Sequence, residues 1–433
     1  MRFDRAFLQT FTVQVIQSAA SVATGVLIAR GLGPSDQGRY ALLVASVGVG
    51  ALVAALGQFQ GNVLSAAERS TSGRTLLLRS ALQCLGVVLV LLVIDKAGLL
   101  RPAVRGVGDL AYVFIAVLCV EALAQMVRGI NLGQHDVTAF NVGTFLQRAV
   151  YLGLVIVLWR TARVALLPVA IAWLAAVLAS VLVAGLLAWR RSEAGSVTWH
   201  ALRYGWGTGI IRGLRALTSV GLGIVLVRCD VYMLGPMLGM ATVGQVSVAT
   251  STAEWLWYVP SILNNLLFAA SAADPSTRGV NQIARVTRSL VALLIVASTV
   301  LMFVGKSLVH LLYGAAYAEA GTLFILLLPG AAALALHMVV DAYFAAKGFP
   351  PITIWGPALA LAGKVSLNLV LVPRFGAIGA VCATSLVYIF LLMIKVGALS
   401  HEATIPLREL LRPTWRDLAV GLGSLKEWLL RRA

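Results

Sequence analysis

The sequence predicts an all-α, polytopic membrane protein, and three observations carry that prediction. Of 433 residues, 60% are hydrophobic and only 12% charged, with a mean hydropathy of +0.91. A soluble domain is nearer half apolar and a quarter charged. Apolar runs of 18 or more residues recur along the chain, the length a helix needs to cross about 30 Å of hydrocarbon. A Leu-Gly-x4-Gly pattern, Leu32-Gly33 to Gly38, returns 206 positions later as Leu238-Gly239 to Gly244. The two copies follow the first and the seventh apolar run, so the chain reads as two parallel six-helix halves.

The runs resolve into about twelve spans. The first six occupy roughly 8–29, 40–65, 75–95, 109–130, 139–159 and 165–189. The second six occupy roughly 207–234, 242–270, 284–305, 319–346, 352–372 and 376–398. Residues 1–200 form the first half, 201–400 the second, and 401–433 a tail too charged to span. That tail mixes Leu410, Leu411, Trp415, Leu418, Leu425, Trp428 and Leu429 with Arg and Lys, the pattern of an interfacial amphipathic helix. The start, Met1 to Arg5, leads into a full-length span with no clear cleavage signal, so the first helix is expected to stay.

A net charge of +17 does not point to nucleic acid, because the basic residues gather at helix ends rather than in a soluble domain. Arg69, Arg74 and Arg79 flank one loop, Arg190, Arg191 and Arg203 the central one, and Arg278, Arg285 and Arg288 a third. By the positive-inside rule these loops and both termini are cytoplasmic. No hydrophilic loop leaves room for a soluble catalytic domain. Cys84, Cys119, Cys229 and Cys382 fall in or beside apolar runs without ligand spacing, so they read as small buried hydrophobes. No metal or cofactor motif is present, nor a phosphate-binding loop. Transport by such a chain would draw on an ion, potential or substrate gradient.

Several motifs resemble one family. Ala29-Arg30-Gly31-Leu32-Gly33-Pro34 through Gly38-Arg39-Tyr40 is similar to the first external turn of polysaccharide flippases. These are the lipid-linked oligosaccharide and O-antigen exporters of the multidrug/oligosaccharidyl-lipid/polysaccharide superfamily. Asp230 through Leu238-Gly239 and Gly244 resembles the opening of that family's second half, and Leu312-Tyr313-Gly314 with Tyr317 and Ala320 its segment after span nine. Asn368 through Leu371-Val372-Pro373-Arg374-Phe375-Gly376-Ala377-Ile378-Gly379-Ala380 resembles its eleventh-to-twelfth helix turn. The resemblance implies a MATE-like arrangement of two lobes around a central cavity in a bacterial inner membrane. It also implies movement of an undecaprenyl-pyrophosphate-linked oligosaccharide from the cytoplasmic to the periplasmic leaflet, with polymerases and glycosyltransferases as partners. Lipid II flippases of the superfamily carry arginines in their first two helices, whereas this first span has Gln14 and Gln17. An exopolysaccharide or O-antigen unit is therefore expected over the peptidoglycan precursor.

Charges stranded in spans are the candidate site, since each costs about 2.5–3.5 kcal/mol at a helix centre even on the lenient insertion scale. Lys364, near the middle of span eleven, is the sharpest case and suits a pyrophosphate or an acidic sugar, and Arg148 in span five is its near-counterpart in the other half. Lys364 has an alternative as a salt-bridge partner of Glu121 or Glu254. Arg212 and Arg215, three residues apart in span seven, share a helix face and offer guanidinium forks for phosphate, or else sit among the headgroups. Arg228 binds an arriving headgroup or snorkels outward, and Asp230 more readily fixes structure. Glu121 and Glu254 either carry a coupling ion or neutralise these cations. Trp255, with Trp257, Tyr258, Asn264 and Asn265, offers stacking faces and amides for sugars, or ordinary packing. His310 and His337 stand isolated and read as structural. Two other functions compete. A cation-coupled multidrug antiporter of the same superfamily would want a mainly acidic cavity, and a membrane polymerase or acyltransferase would want a large external loop or a reactive His motif.

Overall fold

The computed structural model describes residues 5–68, 71–96, 111–192, 199–258, 260–261, 277–348 and 350–403. Among them there is no strand. The helices are α1 (Arg5–Ala55), α2 (Gln58–Ala67), α3 (Gly73–Lys96), α4 (Ala111–Gly133), α5 (Val137–Arg160), α6 (Leu166–Arg191), α7 (Trp199–Leu238), α8 (Met240–Ala253), α9 (Thr277–Tyr313), α10 (Ala318–Ala346) and α11 (Ile352–Ala403). A 3-10 turn, Glu254–Trp257, follows α8. Nine helices among the described residues are long and apolar enough to cross a membrane; ten of the expected spans lie mainly on them, and the second, 40–65, is divided between the end of α1 and α2. The eighth, 242–270, starts on α8 and is described only to residue 261, so a count of twelve is not reached. The protein is a multi-pass membrane protein, and its chain divides into two compact units, Met1–Val231 and Tyr232–Ala433.

In unit 1 the long α1 is bent at Gly33, whose φ of 72° and ψ of 171° lie where only glycine sits without strain. The arms on either side run in opposite directions, as their partners show. Gln17 bonds Thr144 and Trp159 bonds the Leu27 carbonyl, so the first arm runs parallel to α5. Gly50 lies against Leu118, Gly129 against Phe59 and Gly133 against Val63, so the second arm and α2 run parallel to α4. The tight turn between α4 and α5, where Asp136 caps Ala139 N at 2.9 Å, makes those two helices antiparallel.

Lipid is as apolar as leucine, so close backbone approach and polar nodes hold such a bundle together. Gly129 and Gly133 supply the approach: a Cβ at either would fall 2.5 Å from the Phe59 carbonyl oxygen or 2.4 Å from that of Val63. Asn62 supplies a node, bonding Ser80 Oγ on α3 at 3.3 Å and the Met126 carbonyl on α4 at 3.1 Å. Gln83 ties α3 to the Ala54 carbonyl at 2.7 Å.

In unit 2, α10 is the central element, packed on α8, α9 and α11. Gln245 of α8 reaches its first turn, donating to the Ala316 carbonyl at 2.7 Å and accepting from Ala320 N at 3.0 Å. Pro329 interrupts the α10 ladder, and carbonyls near it also accept from side chains: Leu326 O from Ser385 Oγ at 2.9 Å, Ala331 O from Trp257 Nε1 at 3.0 Å. α11 is a hairpin bent at Gly376 (φ 59°). Lys364 and Tyr388, each twelve residues from that glycine, meet across the arms.

The Leu-Gly repeat has a structural counterpart. Gly239 takes φ 85° and ψ 164°, nearly the values of Gly33, and Gly314 takes φ 88° and ψ 176°. Four glycines of the family-like motifs, Gly33, Gly239, Gly314 and Gly376, have positive φ.

Candidate functional site

The polar groups of unit 1 converge on the middle of α5. Thr144, Gln147, Arg148 and Tyr151 recur at helical spacing on one side of that helix. Gln17 Nε2 donates to Thr144 Oγ1 at 2.9 Å. Tyr151 and Tyr40 share a hydrogen bond of 2.9 Å between their hydroxyls. Gln147 donates from Nε2 to Glu121 Oε2 at 3.0 Å and accepts from the Arg128 guanidinium. Arg128 and Glu121, two turns apart on α4, form an ion pair of 3.6 Å with side chains 17% and 14% exposed. One carboxylate thus stands beside two guanidiniums, because Arg148 lies close enough to act electrostatically on Arg128, Tyr40 and Tyr151.

Arg148 differs from the rest. It lies eleven residues from Val137 and twelve from Arg160, at the centre of α5. Its side chain is exposed and has no ion-pair or hydrogen-bond partner among the described residues. A bare guanidinium at mid-span is excluded from hydrocarbon by its insertion cost, and no end of the helix is near enough for it to snorkel. A position facing water or a polar ligand avoids that cost.

Unit 2 treats its mid-span cation differently. Lys364 is twelve residues from either end of its arm and 0% exposed, with Nζ 5.2 Å from the ring centroid of Tyr388. An aromatic face partly offsets the loss of water around an ammonium. Asn368, one turn on, is equally buried and donates to Met233 Sδ at 3.7 Å. Lys364 is held inside the packing of unit 2 and offers no open surface in this state.

The other predicted residues are scattered. Arg228 is half-buried and Asp230 buried near the end of α7, and neither is without a partner. Arg212 and Arg215 lie on α7, but their side chains fall outside the described ones. Glu254 and Trp255, expected on a continuous span, open the 3-10 turn instead and are half-buried. Asn264 lies outside the described residues. Glu121 takes Arg128 as its partner, a residue that sequence reasoning did not single out. Tyr40, Gln147, Asp341 and Lys395 were also not foreseen. The available signal was Arg128 at i+7 from Glu121, which shares its helix face.

No protein-family model matches the sequence, and no curated protein matches it. Solved structures do match in fold. An inward-facing multidrug resistance MATE family transporter of the MOP superfamily aligns with a TM-score of 0.70 at 13% identity, covering 91% of this chain and 98% of its own. The lipid II flippase MurJ, in an inward closed conformation, aligns with a TM-score of 0.69 at 11% identity, covering 98% and 93%. A MOP superfamily transporter from Pyrococcus furiosus, described as having a binding pocket of reverse polarity and a suggested different function, aligns with a TM-score of 0.68 at 15% identity, covering 92% and 95%. The chain has the fold shared by the transporters and the flippase of the MOP superfamily.

Proposed function

We propose that this protein is a flippase for an anionic, lipid-linked oligosaccharide. It would carry an undecaprenyl-pyrophosphate-linked unit for exopolysaccharide or O-antigen synthesis across the bacterial inner membrane by alternating access. The observation that carries this reading is Arg148, a mid-span guanidinium without an ion partner among the described residues, set in a patch of tyrosine, glutamine and threonine. Two arginines against one glutamate leave the patch net positive, as an anionic headgroup requires. Guanidinium suits phosphate by its fork of donors, and the surrounding hydroxyls and amides suit sugars.

The fold neighbours support movement across a membrane as the task, since one is a lipid flippase and others are multidrug transporters. They also support reading polarity rather than fold as the guide to substrate, because one neighbour is described as having a pocket of reverse polarity. A cation-coupled multidrug antiporter remains the second reading, favoured by the number of MATE neighbours. It calls for an acidic binding patch, whereas the only carboxylate described in this one is already engaged by Arg128.

In this mechanism the polyprenyl tail stays in lipid while the headgroup takes the phosphates to Arg148. Lys364, Arg212, Arg215 and Arg228 are secondary candidates for later contacts, with Trp255 and Asn264 for the sugars. Arg128 stays neutralised by Glu121 and shapes the patch without needing to leave its pair. The two six-helix halves expected from the sequence would be the moving bodies, with both termini cytoplasmic and the tail at that interface.

The test is reconstitution of the full chain in liposomes with an undecaprenyl-pyrophosphate-linked oligosaccharide, scored by glycosidase access to the outer leaflet. Arg148→Ala is expected to fold and lose translocation to background, and Arg148→Lys to keep part of it. Wild-type translocation by Arg148→Ala overturns the site. Failure of the wild type, together with ion-driven uptake of a cationic dye, overturns the function in favour of the antiporter.

A further inference from the structure

Unit 2 holds a second ionisable cluster, which the proposed substrate site does not use. His337 and Asp341 stand one turn apart on one face of α10, and the second arm of α11 brings Lys395 into an ion pair with Asp341. Lys395 is 0% exposed, whereas the Asp341 side chain is 32% exposed. The Lys395 ammonium also lies 5.3 Å from the ring centroid of Phe344. His337 is buried, and its Nε2 meets no hydrogen-bond partner among the described residues.

The charges around this cluster are few. Asp341 and Lys395 are the groups that act electrostatically on His337, and Asp341 is the one that acts on Lys395. α8 carries no ionisable residue. Glu254 in the turn after it, and Arg288, Lys306 and His310 on α9, pair with none of the three. Lys347 and Glu402 lie beyond the cluster and pair with each other.

The cluster is electrically balanced in one state only: carboxylate, ammonium and neutral imidazole. A proton added to Asp341 removes the counter-ion of a fully buried ammonium, and a proton added to His337 sets a second cation beside it. Either leaves one uncompensated positive charge in the packed interior. Breaking a buried pair in this way is strongly destabilising, because the remaining charge has lost its partner without regaining water. Asp341 is the partly exposed member of the cluster.

We propose that His337, Asp341 and Lys395 form a proton-binding site that controls the packing of the second arm of α11 on α10. A proton taken up there belongs to the cluster rather than to one atom. Uptake opens the contact between α10 and that arm, and release closes it. The contact is therefore stable at higher pH and weakens as pH falls. This gives unit 2 a means of responding to a pH difference across the membrane, independent of what the protein carries.

Hydrogen exchange on the purified full chain in nanodiscs, corrected for intrinsic rates, tests the proposal without any substrate. In the wild type, protection over residues 384–400 is expected to fall about tenfold between pH 8 and pH 5, as a sub-global opening. Asp341→Asn, which mimics the protonated carboxyl, is expected to show the pH 5 pattern at pH 8. Asp341→Leu combined with Lys395→Met replaces the pair by apolar groups, and is expected to stay protected at both pH values. His337→Gln, which keeps the pair but removes one proton acceptor, is expected to lower the pH at which opening begins. Equal protection of the wild type at the two pH values overturns the proposal, as does opening at pH 5 in the apolar double variant. None of these outcomes bears on whether Arg148 binds an anionic glycolipid.

Discussion

Replacing Glu121 by Gln tests how the unit 1 patch keeps its charges. The substitution is nearly isosteric, and the new amide still reaches Gln147, so packing and one hydrogen bond survive while the negative charge goes. Arg128, 17% exposed and 3.6 Å from the Glu121 carboxylate, then keeps a charge it cannot share. At an effective dielectric of 20, two unit charges 3.6 Å apart attract by about 5 kcal/mol. Loss of one partner of a buried pair costs about 3–5 kcal/mol, the same order. Arg148 adds to the cost, since it acts on Arg128 as a like charge once Glu121 is gone. Denaturant unfolding in detergent micelles should therefore show Glu121→Gln less stable by about 3–5 kcal/mol. The double variant Glu121→Gln, Arg128→Gln removes both charges and should recover most of that loss, giving a large coupling energy in the cycle. If Glu121→Gln lies within about 1 kcal/mol of wild type, as an exposed pair would, then Arg128 has water of its own. The account of a neutralised Arg128 beside a bare Arg148 then fails.

Two further outcomes follow from the geometry. Gly239→Ala would meet no atom within 4 Å, yet its φ of 85° and ψ of 164° are nearly closed to any residue with a Cβ. The backbone alone should cost about 1–3 kcal/mol in the same unfolding assay, and an unchanged stability would show that the turn relaxes. In a background without native cysteines, Arg148→Cys should react rapidly with a membrane-impermeant thiol reagent, while Lys364→Cys in the substrate-free protein should react at least about tenfold more slowly, as expected where opening must precede reaction. Equal rates would place both positions on water and return Lys364 to the substrate site.

The helices and their turns were legible because each rests on local physics. Apolar runs of spanning length leave a chain few alternatives to helix. The turn glycines stood out because they recur at one phase of the repeat and occupy backbone conformations that other residues avoid. The side-chain partners were less legible, because they depend on register between helices that sequence does not display. Lys395 lies three residues from the predicted end of the last span, 376–398. α11 instead continues to Ala403, so Lys395 is two turns inside the helix and fully buried. Arg128 lies just as near an end, two residues from the predicted end of span four. The predicted span stopped at 130, but α4 runs to Gly133 and turns directly into α5, which brings Gln147 back against Arg128.

The two mid-span cations now separate by what surrounds them. The sequence made Lys364 the leading candidate and Arg148 its counterpart in the other half, since each sits near the centre of a membrane-spanning arm. The structure gives Lys364 an aromatic face and full burial, the environment of a cation kept for packing or for a state not seen here. It gives Arg148 exposure, a neighbouring like charge and no counter-ion among the described residues, which is an unfavourable arrangement for the protein alone. A ligand that brought negative charge to Arg148 would relieve the repulsion with Arg128 as well as satisfying Arg148. A neutral or cationic ligand would do neither. On the proposed reading the patch would discriminate by sign before shape, a requirement that the phosphate of a glycolipid would meet whatever sugar it carries.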